Sequence, residues 1–515
     1  MCVVDFPGPA PASGLERLIA ERHIGGVVVF RKNVTSPAQM AGLTTALQTI
    51  AATAGAPPLW IAIDHEGGVV NRFGRGVAGG GTMRVTPLPS KMALGAAGLT
   101  ALAREAGLVA GRELRAMGIH QNYAPAVDVN NNPANPIIGA RAFGESPALV
   151  ESLGLAYIDG LQSAGVAATV KHFPGHGDVT VDSHLALPRV DHPLARLERV
   201  ELPPFAAAVR SGVASVMPAH IVYPALDPTG VPATMSQPIL TGIVRERWHF
   251  QGFICSDSLQ MRAIMDNYGV GDAAVAAVRA GCDMLLALGP EALQDEVLDR
   301  LAMAIEHGDL SSARVADAVQ RVEAAVQKWG PAASASAGPV TIDGAAHDGI
   351  AARIAEAAVT LVRDRAARVP LRGPRIGVAT LSPGYGEYEP PDLAAALRRY
   401  HADVRDVPVS GPRPEVDQVV AVTCTRGTPN ANQVAAIRDL HGAFGDRLVV
   451  VATGDPYDLL QFPEIPAYLA TYGTDAPSLD AGARVLLGAL VPRGRLPVTL
   501  PGLHPAGSGL PGAAA

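Results

Sequence analysis

Cysteine is scarce in this chain, and the four that occur, Cys2, Cys255, Cys282 and Cys424, are scattered. They form no CxxC pair and no regular spacing, which excludes a disulfide framework and a zinc knuckle. Three sit in apolar runs that read as strands, so buried reduced thiols are expected. No apolar run approaches the length of a membrane span. Cations are not in excess either. The formal net charge of −7 gives no electrostatic reason to expect nucleic acid or an anionic membrane as partner. The glycine clusters Gly67-Gly68 and Gly79-Gly80-Gly81 are not followed by GK[ST], so a phosphate loop of that type is excluded. No internal repeat is visible beyond a strand–helix rhythm. The N-terminus lacks a basic n-region and a signal-like hydrophobic segment, and a cytoplasmic location is expected. Residues 1–6 already read as a core strand, however, which leaves a truncated start and a lost export signal open.

What is present is a large, well-buried globular chain. Its 515 residues suggest two to four domains, and 48% hydrophobic against 17% charged residues argues against disorder. Apolar runs at 2–6, 25–30, 59–64, 119–128, 166–172, 214–220, 252–257 and 281–288 are separated by helical patterns such as 37–53 and 101–117. The runs are too uniformly apolar for strands with one wet face, so they imply a parallel sheet covered by helices. Eight such repeats over about 300 residues suit a (β/α)8 TIM-type barrel, expected over 1–328. Asp64, Asp128, Lys171, His172, His220 and Asp257 all fall at strand C-terminal ends or just beyond, where barrel enzymes build their sites.

Residues 329–347 are rich in Ala, Ser, Gly and Pro and read as an interdomain linker. A helix is expected over about 349–362. Apolar runs follow at 376–381, 404–409, 419–424, 448–452 and 468–472, alternating with helical segments. They predict a smaller three-layer α/β sandwich over 348–515. The arginine-rich patch at 363–375 reads as a solvated connection.

The densest chemistry lies in KHFPGHGDVTVDSH, residues 171–184. Pro174, Gly175 and Gly177 deny it a helix. Three histidines, two aspartates and a lysine are therefore held on a loop beyond a strand end. Asp182 and His184, at i and i+2, fall on one side of an extended loop, which suits a carboxylate that orients an imidazole. The alternative is an Asx turn in which Asp182 caps backbone amides. Asp257 can be a nucleophile, a base, a metal ligand or an ion-pair partner. Asp64, Arg72, Arg141 and Lys171 read as ligand-binding groups able to grip sugar hydroxyls. His176 and His220 stay unassigned. The His172-xxx-His176 spacing would suit zinc on a helix, but the backbone breakers argue against one. Neither a metal nor a cofactor is expected.

KHFPGHGDVTVDSH resembles the signature of the bacterial β-N-acetylglucosaminidases of glycoside hydrolase family 3. So do DHEGGVVNRF (64–73), NYAPAVDVN (122–130), IIGARAFGE (137–145) and FICSDSLQM (253–261). The GDPYDL and GRLPVTLPG segments look like the second domain of two-domain members. The resemblance implies a retaining mechanism through a covalent glycosyl-enzyme, with Asp257 as nucleophile and His184 as acid/base oriented by Asp182. It implies sugar-binding roles for Asp64, Arg72, Arg141, Lys171 and His172, to which strand-end Asp128 is added. The implied substrate is a small GlcNAc-containing oligosaccharide or muropeptide. Three features depart from the family pattern: His65 where Gln is frequent, no helix before the first strand, and Asp455 where Asn is usual. A histidine on a loop suggests an acid that moves into place when substrate binds. The alternatives are a phosphorylase using phosphate in place of water, another β-glycosidase of the family, and a non-catalytic sugar-binding protein.

Overall fold

A computed structural model describes residues 2–73, 85–331, 342–382 and 390–511. The Gly79-Gly80-Gly81 stretch and residues 332–341 of the expected linker lie outside them. Eight parallel strands close into a barrel in chain order. They are β1 (Cys2–Val4), β2 (Gly26–Val29), β3 (Trp60–Ile63), β4 (Gln121–Asn122), β5 (Ala167–Phe173), β6 (Ser215–Pro218), β7 (Phe253–Ser258) and β8 (Met284–Leu286). Successive side chains point to opposite faces. Val3, Val28, Trp60 and Ala62 pack inside the barrel with Tyr123 and Phe253. Their neighbours Val4, Val27, Val29, Ile61 and Ile63 pack outward in the core shared with the helices. Two dry faces explain why the runs read as continuous rather than alternating.

Ser-Pro pairs start two of the covering helices, Pro37–Thr53 and Pro147–Ser163. Each proline stands where no backbone donor is needed, and Ser36 Oγ accepts from the Gln39 N–H at 3.1 Å. The run at 119–128 yields only a two-residue strand. Pro125 has no N–H to donate to a ladder, and pairing resumes beyond it as a single bridge between Ala126 and Lys171.

The second sheet has six strands in the order β11-β10-β12-β13-β14-β9. They are β9 (Thr360–Asp364), β10 (Ile376–Thr380), β11 (Val404–Asp406), β12 (Gln418–Thr423), β13 (Leu448–Ala452) and β14 (Ala467–Ala470). All neighbours are parallel except β9, which runs antiparallel to β14. Val419, Ala421 and Val450 pack on one face with Ile437 and Leu440 of helix Ala431–Phe444. Val420, Val449 and Val451 pack on the other with Leu397 and Leu479. Three layers result.

Two expectations need correction here. The helix expected over 349–362 spans Gly344–Ala358, and Thr360-Leu361-Val362, apolar and β-branched, instead starts edge strand β9. The arginine-rich patch is not wholly solvated. Arg363 is buried, and its guanidinium donates to the carbonyls of Pro463 at 2.6 Å and Ile465 at 3.2 Å. Among the described residues, no helix is long and apolar enough to cross a membrane.

The two parts pack directly. Helix Lys91–Ala97, from the barrel, sends Met92, Ala93 and Ala96 into one core of the second sheet. Ser90 Oγ donates to the Tyr472 carbonyl at 2.7 Å. The N–H and hydroxyl of Thr499 donate to Glu145 at 2.7 and 2.6 Å. These contacts bring a second-domain loop to the barrel's C-terminal mouth, where the polar strand-ends meet.

Candidate active site

A cavity of about 420 Å³ opens at the C-terminal mouth of the barrel. Asp64, Arg72, Arg141 and Lys171 line it, and so do His172, His184 and Asp257. The structure thus brings together seven of the nine residues the sequence points to. The other two, Asp128 and Asp182, stand behind the wall, each holding a histidine.

Backbone irregularities help to aim these groups. The β5–β6 pairing shifts register between Lys171 and Phe173, and the β7–β8 pairing shifts between Cys255 and Ser258. Such bulges bend a strand and redirect its side chains next to sites. Asp257, half-buried at the end of β7, accepts the Ser258 N–H at 2.7 Å. Burial pushes its carboxyl up, but His220, His172 and His184 outweigh that and hold it below the usual carboxylate range. His220, unassigned from the sequence, is fully buried beside it. Its Nε2–H donates to the Ser258 carbonyl at 3.0 Å, and Nδ1 lies 2.8 Å from Thr234 Oγ1.

His184 is the exposed partner, with 57% of its side chain accessible. Its Nδ1 lies 2.7 Å from Asp182 Oδ1, the same oxygen that accepts the His184 backbone N–H at 2.9 Å. The Asx turn and the carboxylate–imidazole pair are therefore one arrangement, not alternatives. Burial raises the Asp182 carboxyl, but its bonds to His184 and the charge of Arg426 bring it below the usual range.

The opposite wall is a fixed network of charges. Asp64 accepts from Lys171 Nζ at 2.7 Å and from Arg72 Nη2 at 3.3 Å. Glu66, which sequence reasoning passed over, also lines the cavity and is the hub of this network. It is 1% exposed and accepts from Arg141 Nε at 3.1 Å and Nη2 at 2.9 Å, with Lys171 Nζ at 2.7 Å. Burial alone would raise the Glu66 carboxyl. Arg141 and Lys171 reverse that and hold it well below its ordinary value. The available signal was its place two residues after Asp64, where side chains fall on one side of an extended segment.

Asp128, expected to bind sugar, is not among the residues that line the cavity. Its side chain is fully buried. Oδ2 accepts from His172 Nδ1 at 2.8 Å, while Oδ1 accepts the backbone N–H of His172 at 3.1 Å and of His176 at 2.6 Å. With Nδ1 protonated, His172 Nε2 is left to accept from Arg141 Nη2 at 3.3 Å. A strand-end acid facing the loop behind it and one facing the cavity look alike in sequence. Arg426, carried on the loop after β12, also lines the cavity and was not foreseen.

His172, His176 and His184 do not form a cluster of ligand atoms among the described residues. His172 and His176 meet edge to face at 5.4 Å, and His176 Nε2 lies 3.0 Å from Ser183 Oγ. Among the described residues, the one group whose ligand atoms lie within 4.8 Å of each other is Asp178, His192 and Glu201. Arg196 already bridges its two carboxylates, at 3.8 and 3.2 Å.

One mouth of a closed parallel barrel thus carries an acid, an acid-held imidazole and a wall of cations. Residues 1–325 match the glycosyl hydrolase family 3 N-terminal domain. A beta-hexosaminidase A from Pseudoalteromonas piscicida is 33% identical, over 94% of this chain and 91% of its own. A beta-hexosaminidase from Thiobacillus denitrificans is 38% identical, over 58% of this chain and 81% of its own. The solved structure of a glycoside hydrolase family 3 beta-N-acetylglucosaminidase from Paenibacillus sp. superposes with a TM-score of 0.89, at 37% identity and 97% coverage of each chain. The chain belongs to glycosyl hydrolase family 3.

Proposed function

We propose that this protein is a retaining exo-β-N-acetylglucosaminidase in which Asp257 is the nucleophile and His184, oriented by Asp182, is the acid/base. The observation that carries the reading is the shared cavity: a low-pKa carboxylate at a strand end and a carboxylate-held imidazole line the same pocket. In the first step an Asp257 oxygen attacks the anomeric carbon as the bond to the aglycone breaks. The leaving oxygen takes a proton from Nε2 of the His184 imidazolium, which the Asp182 carboxylate stabilises. In the second step Nε2 takes a proton from water, which attacks the same carbon and releases Asp257. Two inversions give retention.

Asp64, Arg72, Arg141, Lys171 and His172 hold the sugar, with acceptors and donors alternating along one wall. Asp128 supports His172, and Glu66 supports Arg141 and Lys171. The catalytic barrel (1–328) and the second domain (348–515) are proposed as the two units. Peptidoglycan fragments or chitooligosaccharides fit as substrates of such a site. Four buried free cysteines support work in a reducing, cytoplasmic compartment. The relatives, named as hexosaminidases, do not favour the phosphorylase alternative.

A panel of nitrophenyl β-glycosides (GlcNAc, GalNAc, glucose, xylose) tests the reading, with the product anomer followed by NMR. GlcNAc preference with initial release of the β-anomer is expected. Turnover of glucoside alone, release of the α-anomer, or formation of a sugar 1-phosphate in phosphate buffer would each overturn it.

A further inference from the structure

Asp455 belongs to the second domain, in the turn between β13 and the short helix Pro456–Gln461. It is 1% exposed, and its two oxygens take backbone donors from two different parts of the molecule. Oδ1 accepts the Ala140 N–H at 2.6 Å, and Oδ2 accepts the Gly427 N–H at 2.8 Å. Ala140 immediately precedes Arg141, and Gly427 immediately follows Arg426. Each donor is thus one residue from an arginine that lines the cavity, one in the barrel and one in the second domain.

The fit is tight from both sides. Gly139 has φ +46°, and a Cβ there would lie 2.1 Å from Asp455 Oδ2. At Gly427, φ +65°, a Cβ would lie 2.9 Å from the Asn135 carbonyl oxygen. Both segments are built without side chains where the carboxylate and the facing loop must approach. The Asp455 N–H returns a bond to the Thr425 carbonyl at 2.9 Å, closing the loop that carries Arg426.

We propose that Asp455 is a positioning residue through which the second domain sets two cavity arginines, Arg141 and Arg426, in register for substrate. Glu66 fixes the Arg141 guanidinium, while Asp455 fixes the backbone from which that side chain projects. Arg426 stands on a loop outside any strand or helix, so its place over the barrel mouth depends on the domain junction. Docking itself does not depend on Asp455. Asn130 Nδ2 donates to Tyr457 Oη at 2.9 Å, and Glu145 holds Thr499. Removing Asp455 should therefore loosen the two arginine segments without separating the domains. The role in substrate binding rests on the proposed glycosidase reading.

The test uses the full chain with Asp455→Ala, Asp455→Asn and Gly139→Ala. Amide hydrogen exchange is followed over 137–143 and 424–430. In Asp455→Ala both segments should exchange at least tenfold faster, while the Glu145–Thr499 contact keeps its protection. Asp455→Asn offers one acceptor oxygen for two N–H donors that cannot themselves accept, so one segment should stay protected. On nitrophenyl GlcNAc, KM should rise about tenfold in Asp455→Ala with kcat reduced less, a loss of binding rather than of chemistry.

Unchanged exchange in both segments overturns the proposal. Faster exchange with KM and kcat within twofold of wild type overturns the positioning role. Should Asp455→Ala fail to fold, Gly139→Ala decides. A Cβ in the barrel loop must then loosen 424–430 in the other domain, and no change there rejects the coupling. A wild type inactive on every glycoside of the panel would refute the glycosidase reading, while the exchange data still decide whether Asp455 couples the two segments.

Discussion

A single oxygen, Asp182 Oδ1, holds His184 twice, through the backbone N–H at 2.9 Å and ring Nδ1 at 2.7 Å. Ring orientation and loop shape are thus set by one atom. The two residues should act as a unit, so their losses should not add. His184→Ala and the Asp182→Ala, His184→Ala double variant are expected to be similarly slow on a natural disaccharide, by about 10²–10⁴-fold. A nitrophenyl leaving group needs little protonation, so the loss at that step should be much smaller. Multiplied losses in the double variant would show separate roles. Equal losses on both substrate types would remove His184 from proton transfer.

Asp257 is held ionised by three imidazoles against the pull of burial. A carboxylate kept in that state at a strand end can attack without first losing a proton. Asp257→Ala is expected to abolish turnover while leaving the thermal transition in place. A 5-fluoro mechanism-based GlcNAc analogue, which keeps the 2-acetamido group, should label Asp257 alone, as read by peptide mass spectrometry. Modification of any other carboxylate, or activity surviving in the alanine variant, would reject the assignment.

Glu66 neutralises two buried cations at once. Glu66→Gln keeps the shape and leaves Lys171 and Arg141 facing one fewer negative charge. Removing one partner of a buried ion pair typically costs about 3–5 kcal/mol, and the amide should bring the loss to the lower end. The expected outcome is a clear drop in urea midpoint together with a KM raised at least tenfold. A variant with wild-type midpoint and KM would mean that Asp64 alone balances the cluster.

How far the sequence carries depends on how local the determining physics is. Strands β1 to β8 were legible because barrel strands are dry on both faces, so each reads as an unbroken apolar run. The site was legible where polar residues end those runs, as at Asp64, Lys171, His172 and Asp257. β9 was hidden because Val359-Thr360 follows helix Gly344–Ala358 with no glycine or proline between them, and the apolar pattern continues across the break. That Asp128 faces His172 and His176 rather than the cavity was not legible, because position along a strand does not reveal which way its end turns. Arg426 was out of reach for a different reason. It is one arginine among many in a loop far along the chain, and long-range packing, such as that of Ser90, Asn130 and Glu145 against the second domain, brings it to the barrel mouth.

The second domain also carries a pH dependence of its own. Asp455 and Asp458 are fully buried, and burial pushes each carboxyl up to about 6. Asp458 accepts from Thr423 Oγ1 at 2.5 Å and from the Tyr468 hydroxyl, neither of which brings a positive charge. A carboxyl raised from about 3.9 in the unfolded chain stabilises the fold through its neutral form. That contribution is complete below about pH 4 and is lost as pH rises through about 6. Two pKa units correspond to roughly 3 kcal/mol for each group. The buried histidines His65, His120 and His176, pushed down by burial to about 3, 4 and 4, act oppositely over much of the same window. Wild-type stability alone therefore does not isolate the effect, but the difference between two variants does. Asp458→Asn cannot ionise, and the hydroxyls facing it can accept from its amide as readily as they donate. Its stability relative to wild type, from urea unfolding, should grow between pH 4.5 and 7 by about 2 kcal/mol and then level off. A constant difference across that range would place the ionisation of Asp458 outside it. A difference that shrinks as pH rises would show that its hydrogen bonds, rather than its burial, set its charge.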